Sequence, residues 1–585
     1  MCNSNIESCH PLKPAFVILH NGLKDQCGHY FETSMALAEA AHERGLRAIL
    51  ATHVSCPIGL FPDWLEVYPL FCTDHWMGEP PAPSPDLGRL RIDPYERRYI
   101  HAGDVREGRA QVKDLLHDRF HLSGFVNPLP SSAPTPNAPP PRRSRLAWLA
   151  NRLAYYLMPP AAARVARAVG QVIQDWTPPV MRGEGCARLI QGATRHWRVW
   201  RGLEERHPPW RPAPFQDSTH IAQALAHPLE GPLVARAQEC LTACNLGWEL
   251  IHSLVFKRDL ERLIAVAGLG PRDHVLLGTA HSREVLATAL VVRRVGEHRA
   301  PLFHFEFRHA VFPSPPRAGD VPLSAQARCH KPFFDLYREF GPSPRVRFYT
   351  DTQELSYDYG VLAGVPFGVL PLPFRTRLMA APASRPAGPL VLAYIGEARD
   401  EKGFPWLPML IDWLMDSHIR TGKVRFLVQD TLVPRWNPQS CAALEMLRRY
   451  PPEVVQLVGD QKPLTADAYY GLVSAADVVL LPYDKVRYRA SSSGTLAEAL
   501  AAGHPVVVPE GTWLAAQVPE GGGETFQDFL SFVAAVQRVV DNFPRYRAAV
   551  EAGRAAWLAR HTPRALIETL LAAEGSGPGA ESIAA

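Results

Sequence analysis

One stretch constrains this chain more than any other: Ser493-Gly494-Thr495-Leu496-Ala497-Glu498-Ala499-Leu500-Ala501-Ala502-Gly503-His504-Pro505-Val506-Val507-Val508-Pro509. Small residues open it and read as a tight loop. A short helix follows, carrying a single carboxylate, Glu498. A Gly-Pro turn then leads into a β-branched strand. Just upstream, Ala476-Asp477-Val478-Val479-Leu480-Leu481-Pro482-Tyr483 reads as a buried strand. Strand, glycine-bearing loop and helix N-terminus in this order make an anion site, because free N–H groups and the positive end of the helix dipole converge on one point. Glu498 lies about one turn into the helix, where it can accept hydrogen bonds from sugar hydroxyls. A diphosphate beside a polyol describes a nucleotide-sugar.

The same segment resembles the donor-binding core of retaining glycosyltransferases with two facing Rossmann-like domains, the GT-B fold, and within it the GT4 group. Tyr394-Ile395-Gly396-Glu397-Ala398-Arg399-Asp400-Glu401-Lys402-Gly403-Phe404 is similar to the opening strand and loop of that family's C-terminal domain. Gly511-Thr512-Trp513 is similar to a donor-side loop, and Cys27-Gly28-His29-Tyr30-Phe31-Glu32 to the N-terminal glycine loop. The resemblance covers roughly 14–60 and 247–570. It implies an α/β chain of GT-B type with a large irregular insertion in the N-terminal domain. It also implies sugar transfer from a nucleotide-diphosphate donor to a glycan or lipid-linked acceptor. Retention, no bound metal and no cofactor beyond the donor are expected with it.

The periodicity supports such an organisation. Ala15 to His20 and Arg47 to Thr52 read as strands flanking a helix from Phe31 to Glu43 that Gly45 ends, which implies a parallel pair. Alternating strands and helices resume at Leu246, with strands at His274 to Gly278, Leu302 to Phe307, Val346 to Thr350 and Phe367 to Leu370. A second series begins at Leu390 and continues at Val424 to Val428, Val454 to Val458, Val478 to Leu481 and Val506 to Val508. The expected division is 1–60 and 239–374 for a discontinuous N-terminal domain, 61–238 for the insertion between its second and third strands, and 375–389 for a linker. The donor-binding domain is 390–573 and the tail 574–585. Within the insertion, 128–141 is nearly all Pro, Ser, Ala, Thr and Asn and reads as a linker. Arg142 to Arg167 is basic beside an apolar helical stripe. It reads as an ordinary helix or as a membrane-surface one.

Composition excludes several classes. A net charge of +4 is too small to argue for nucleic acid. The ten cysteines have irregular spacings that suit neither zinc nor a disulfide scaffold. The N-terminus lacks the apolar core of a signal peptide, and no apolar run approaches the ~20 residues that cross a bilayer. A cytoplasmic protein is expected, with peripheral contact at the inner face of a membrane if the basic segment docks there.

Glycosyl transfer requires a neutralised leaving diphosphate, a held sugar and ribose, and exclusion of water. Lys402, Glu498 and Arg399 are the catalytic candidates. Lys402 matches the lysine of the family's Lys-Gly pair; taken alone it reads equally as a solvated turn lysine. Arg399 stands two residues beyond the position of a frequent family arginine, which here is Glu397. Glu498 matches the second glutamate of the family's paired-glutamate motif, the ribose contact. The first would lie eight positions upstream and is Ala490. Arg489 and Ser491 are the neighbours that could take over its sugar contact. The expected donor-binding set is Gly396, Gly459, Tyr483, Arg489, Ser492, Ser493, Gly494, Thr495 and Glu498. On the acceptor or phosphate side stand Gly28 and His29, whose glycine permits close approach of backbone, and His304 and Glu306, which share one face of a strand near its carboxyl end. Asp351 and Glu354 read as cap and first-turn acid of the next helix. Two other readings remain open: a different GT-B enzyme, such as a nucleotide-sugar epimerase with paired carboxylates across the cleft or a phosphorylase, and a non-catalytic nucleotide-sugar-binding module.

Overall fold

The computed structural model describes residues 13–24, 29–73, 90–92, 99–101, 224–316, 325–374, 388–431, 438–460 and 464–572. The proline-rich run, the basic segment Arg142 to Arg167, Gly28, the linker 375–387 and the tail from 573 lie outside them.

The N-terminal sheet contains β1 (Ala15–His20), β2 (Arg47–His53), β3 (Glu66–Phe71), β6 (His274–Leu277), β7 (Leu302–Phe307), β8 (Val346–Thr350) and β9 (Gly368–Val369). All pairings are parallel, in the order β3-β2-β1-β6-β7-β8-β9. A short antiparallel ribbon, β4 (Leu90–Ile92) with β5 (Tyr99–His101), lies outside this sheet. Strands such as Ala15–His20 are buried at every position because helices cover both faces. These include α1 (His29–Glu43) between β1 and β2, then, beyond α2 (Gly231–Ala243), which packs on other helices, α3 (Gly247–Ala267), α4 (Ser282–Val295), α5 (Ala325–Phe340) and α6 (Gln353–Ala363).

The C-terminal sheet contains β10 (Leu390–Tyr394), β11 (Val424–Gln429), β12 (Val455–Val458), β13 (Val478–Leu480), β14 (Val506–Pro509) and β15 (Gly523–Phe526). It is parallel throughout, in the order β12-β11-β10-β13-β14-β15. Both sheets run outward from their first strand and then reverse. The reversal leaves a crevice between β1 and β6 in one and between β10 and β13 in the other, and ligands bind such sheets outside the carboxyl ends at this switch point. The helices between these strands include α7 (Leu407–Leu414), α8 (Pro438–Leu447), α9 (Ala466–Ala475) and α10 (Gly494–Ala501), of which α10 follows β13.

Three differences from the sequence reading have physical causes. The stretch read as irregular from 61 opens with β3, and helical structure returns at Gly231, not after 238. The chain therefore leaves the sheet after its third strand, not its second. Pro69 obscured β3, and the sheet accommodates it because β3 is an edge strand. Strand β15 was missed because its first residues, Gly523 and Glu524, carry no strand signal. Finally, α11 (Trp513–Gln517), α12 (Phe529–Asp541) and α13 (Phe543–Arg560) close the C-terminal half, but α14 (Pro563–Ala572) does not belong to its core. Leu566, Ile567 and Leu570 are buried with Met35, Leu37 and Ala38 of α1. Each such burial contributes about 1.5–3 kcal/mol. The end of the segment read as the donor domain thus packs on the N-terminal sheet.

Candidate active site

Gly396 follows β10 at the switch point. Its φ of +110° suits glycine. A Cβ placed there would lie 3.1 Å from the Lys402 Nζ and 3.7 Å from the Thr495 Oγ1. The bare Cα therefore lets the Lys402 ammonium and the start of α10 approach the backbone closely at this point. The Gly396 N–H is oriented by the Gln429 Oε1, which accepts from it at 2.7 Å, while the Gln429 Nε2 donates to the Thr431 Oγ1 at 3.1 Å.

Lys402 closes a single helical turn, and Gly403 ends it at φ +71°. A Cβ on Gly403 would overlap the Pro482 carbonyl oxygen at the end of β13. The lysine–glycine pair is thus a packing requirement as well as a charge. Lys402 is half-buried, and its Nζ lies 5.5 Å from the centre of the Tyr483 ring. Burial opposes its charge, but the phenols of Tyr483 and Tyr488 favour it, and its pKa stands above that of an ordinary lysine. Tyr483 is buried, its ring centre lies 4.5 Å from that of Tyr488 in a tilted contact, and its hydroxyl has no hydrogen-bond partner among the described residues.

On α10, Ser493 is the N-cap and its hydroxyl accepts from the Leu496 N–H at 3.2 Å. The N–H groups of Gly494 and Thr495 have no partner within the helix by its geometry. Gly494 is exposed with open space around its Cα. One turn on, the Glu498 carboxylate accepts a hydrogen bond from the Tyr469 hydroxyl. Burial raises its pKa to about 7. Glu32 on α1 adds to the rise, while Tyr469 and Lys402 oppose it. Glu32 thus belongs to the same electrostatic neighbourhood, although it comes from the N-terminal half.

The remaining candidates separate. Gly396, Lys402, Tyr483, Ser493, Gly494, Thr495 and Glu498 gather at the C-terminal switch point. Gly459, with φ of +122°, ends β12, two strands away from β10. Arg399 is engaged by acids of its own loop, pairing with Glu397 and lying 3.9 Å from Glu401. Arg489 pairs with Asp358, a fully buried residue of α6, and Ser492 donates to Asp351 at the end of β8. Ala490 is buried among N-terminal core residues, and its carbonyl accepts from the Thr352 hydroxyl at 2.7 Å. The loop before α10 is therefore fastened to the N-terminal half at Arg489, Ala490 and Ser492. The donor-side loop at Gly511 joins it, since the Trp513 N–H donates to the Arg489 carbonyl at 2.9 Å.

His304 does not face a cleft. It is buried in mid-strand, 3.0 Å from the His274 Nδ1 and 3.3 Å from the Tyr349 hydroxyl, and burial holds its pKa well below the usual range. Alternation alone does not distinguish such a core histidine from a ligand. Glu306, two residues on, reaches the strand end and pairs with Arg308 at 2.8 Å. Burial raises its pKa to about 7; Arg308 opposes the rise and Asp351 adds to it. Asp351 is not the cap of α6: Thr352 is, its hydroxyl accepting from the Leu355 N–H at 3.0 Å. His29 opens α1, and its side chain lies outside the description. Tyr469, Gln429, Asp351 and Asp358 were not named as site residues. Only Gln429, a polar residue ending an apolar strand, carried a usable signal.

A family model described as glycosyl transferase-like matches residues 435–572, which include Tyr469, Tyr483 and the whole of α10. No curated protein matches the chain. Among solved structures, sucrose-phosphate synthase from Thermosynechococcus elongatus is similar at 12% identity and a TM-score of 0.47, covering 95% of this chain and 97% of that one. A UDP-forming α,α-trehalose-phosphate synthase from Burkholderia vietnamiensis gives 12% and 0.48, covering 96% and 100%. The pneumococcal O-GlcNAc transferase GtfA, solved with UDP and GlcNAc, gives 11% and 0.40, covering 55% and 60%. With the family match falling on the half that carries α10, and two parallel Rossmann-like sheets in one chain, the protein is an enzyme of the glycosyltransferase class with the GT-B architecture.

Proposed function

We propose that the protein transfers a sugar from a nucleotide-diphosphate-sugar to a glycan or lipid-linked acceptor, with retention and without a metal ion. The observation that carries this reading is the convergence of Gly396, Lys402 and Thr495 at the start of α10. It combines an ammonium, N–H groups unpaired within the helix and a helix dipole beside a glycine that permits close approach. A diphosphate seated there is neutralised as it leaves, which is the task a divalent ion performs elsewhere. Glu498, held by Tyr469, accepts from the ribose hydroxyls one turn further along. The apolar surroundings strengthen each of these contacts. The basic run Arg142 to Arg167 supports an acceptor met at an anionic membrane face on the cytoplasmic side.

The test is a thermal-shift screen of nucleoside diphosphates and their sugar conjugates. A ligand at a hundred times its Kd adds about 2.7 kcal/mol of stability. A stabilising conjugate is then incubated with candidate acceptors and the products separated. Absence of any nucleotide effect sinks the donor site.

One observation favours a second reading. Glu32 raises the pKa of Glu498 from the other half of the molecule. Two carboxylates so related suit a nucleotide-sugar epimerase. An epimerase yields an isomerised nucleotide-sugar without acceptor, whereas a transferase releases nucleoside diphosphate only with one.

A further inference from the structure

Strands β7 and β8 run side by side, with Glu306 opposite Tyr349 and Phe307 opposite Thr350. Their carboxyl ends therefore bring Glu306 and Asp351 together. Glu306 is fully buried and Asp351 is 3% exposed. Each has one oxygen engaged: the Glu306 Oε2 accepts from Arg308 at 2.8 Å, and the Asp351 Oδ2 accepts from the Ser492 hydroxyl. The other oxygen of each, Oε1 and Oδ1, is buried with no hydrogen-bond partner among the described residues. Buried acceptors are normally satisfied, so two unmet ones at neighbouring strand ends point to a missing donor.

Their place identifies that donor. Ser492 directly precedes the N-cap of α10, and the Thr352 hydroxyl holds the Ala490 carbonyl at 2.7 Å. The carboxylates therefore border the loop that leads into the diphosphate pocket. That loop supplies no acid of its own, since Ala490, Ser491, Ser492 and Ser493 are neutral. Gly278, at the end of the adjacent β6, has no side chain to fill the space; a Cβ there would stand 3.7 Å from the Glu306 Oε2. Arg308 already supplies a cation to Glu306, so the unmet oxygens call for neutral hydroxyl donors.

We infer that Glu306 and Asp351 form the subsite that recognises the hydroxyls of the transferred sugar, the N-terminal sheet supplying the carboxylates that the loop before α10 lacks. This rests on the donor-site reading above. It moves Glu306 from the acceptor or phosphate side, where the sequence placed it, to the transferred sugar. A site built to pair with a hydroxyl discriminates strongly against a sugar that presents it in the wrong configuration. Glu306 and Asp351 are therefore specificity-determining residues.

The experiment compares wild type with Glu306→Gln and Asp351→Asn. Affinities are measured for UDP, GDP and ADP alone, and for the glucose, galactose, mannose and N-acetylglucosamine conjugates of whichever nucleotide binds. Wild type is expected to spread the conjugates over more than tenfold in Kd. Glu306→Gln and Asp351→Asn should compress that spread to within about threefold while keeping nucleoside diphosphate affinity within twofold. Each carboxylate is replaced singly by its isosteric amide, so if one variant fails to fold, the spread in the other decides. An undiminished spread in both carboxylate variants overturns the inference, as does an equal loss for bare diphosphate and conjugates, which marks a structural role. Wild type that binds no nucleoside diphosphate overturns the donor site itself and this inference with it, a failure visible without any substitution.

Discussion

The two sheets share an architecture and differ in what their strand ends present. At the C-terminal switch point stand a lysine, helix N–H groups and glycines. The N-terminal strand ends present Glu306 and Asp351, with Asp358 on the following helix. One end presents an ammonium and N–H donors, the other carboxylates. The common topology supplies the place for a ligand, and the side chains alone decide the chemistry. The contrast extends to protonation. Burial raises the pKa of Glu306 to about 7 and of Asp358 to about 6, whereas Lys402 is held more firmly in its charged form than an ordinary lysine.

The comparison breaks most severely at Gly403. Gly403→Ala places a side chain against Pro482 in a left-handed backbone conformation. A loss of about 3 kcal/mol or more is expected in urea unfolding, together with loss of nucleotide binding. Near-wild-type stability would show that the Lys402 turn is not held by this contact.

Arg489→Met tests the link between the halves. It leaves Asp358 buried without its guanidinium, at a cost of about 2–3 kcal/mol at pH 8. The sign follows from the protonation of Asp358. Its pKa in the folded chain is raised, so folding retains a proton that the unfolded chain releases above about 4, and stability falls as pH rises from there through about 6. Without the guanidinium the raised range extends higher. The penalty should therefore shrink towards pH 5, where Asp358 is protonated in the folded state. A penalty independent of pH is evidence against the ion pair.

Lys402→Ala sharpens the contrast from the other side. Lys402 makes no ion pair among the described residues, so stability should change little. Nucleotide-diphosphate affinity should fall by about 3 kcal/mol, the upper range for a hydrogen bond to a charged group. Titration calorimetry separates the two effects.

Glu498→Gln should cost about 1.5 kcal/mol in nucleotide affinity, less than Lys402→Ala, because an amide oxygen still accepts. Its effect on stability has the opposite sign. The folded carboxyl pKa of about 7 exceeds the unfolded value, so ionising it costs stability as pH rises from about 4.5 to 7, and the neutral amide escapes that cost. The variant should be at least as stable as wild type at pH 8 while binding nucleotide less well. Equal nucleotide affinity would remove Glu498 from the site. The smallest effect is expected from EDTA: turnover should persist, and activity that stops and returns with manganese would show that Lys402 and α10 do not carry the diphosphate charge alone.

Local patterns made the C-terminal half legible. Apolar β-branched runs marked the strands, and the spacing from Lys402 to Gly403 and from Ser493 to Glu498 lies within one loop or one helical turn, where geometry follows from sequence distance. The seven-stranded sheet was legible except for β3, whose Pro69 is tolerated only because that strand lies at an edge. The acid side was not legible. Asp351 read as a helix cap until its neighbour Thr352 took that role, which freed Asp351 to reach Ser492, 141 residues away. Arg489 read as a sugar ligand until Asp358, 131 residues away, claimed it.

By itself, then, the sequence determined the order of strands and helices apart from β3 and β15, the Lys402–Gly403 turn and the single carboxylate of α10, because each depends on residues within a few positions of one another. Only the tertiary structure decided that the loop before α10 is tied to the N-terminal sheet, that α14 packs on α1, and that His304 is a core residue while Glu306 and Asp351 meet at a strand end. Those outcomes depend on which distant groups share a buried space and how each satisfies its charge and hydrogen bonds there, and no local spacing encodes that.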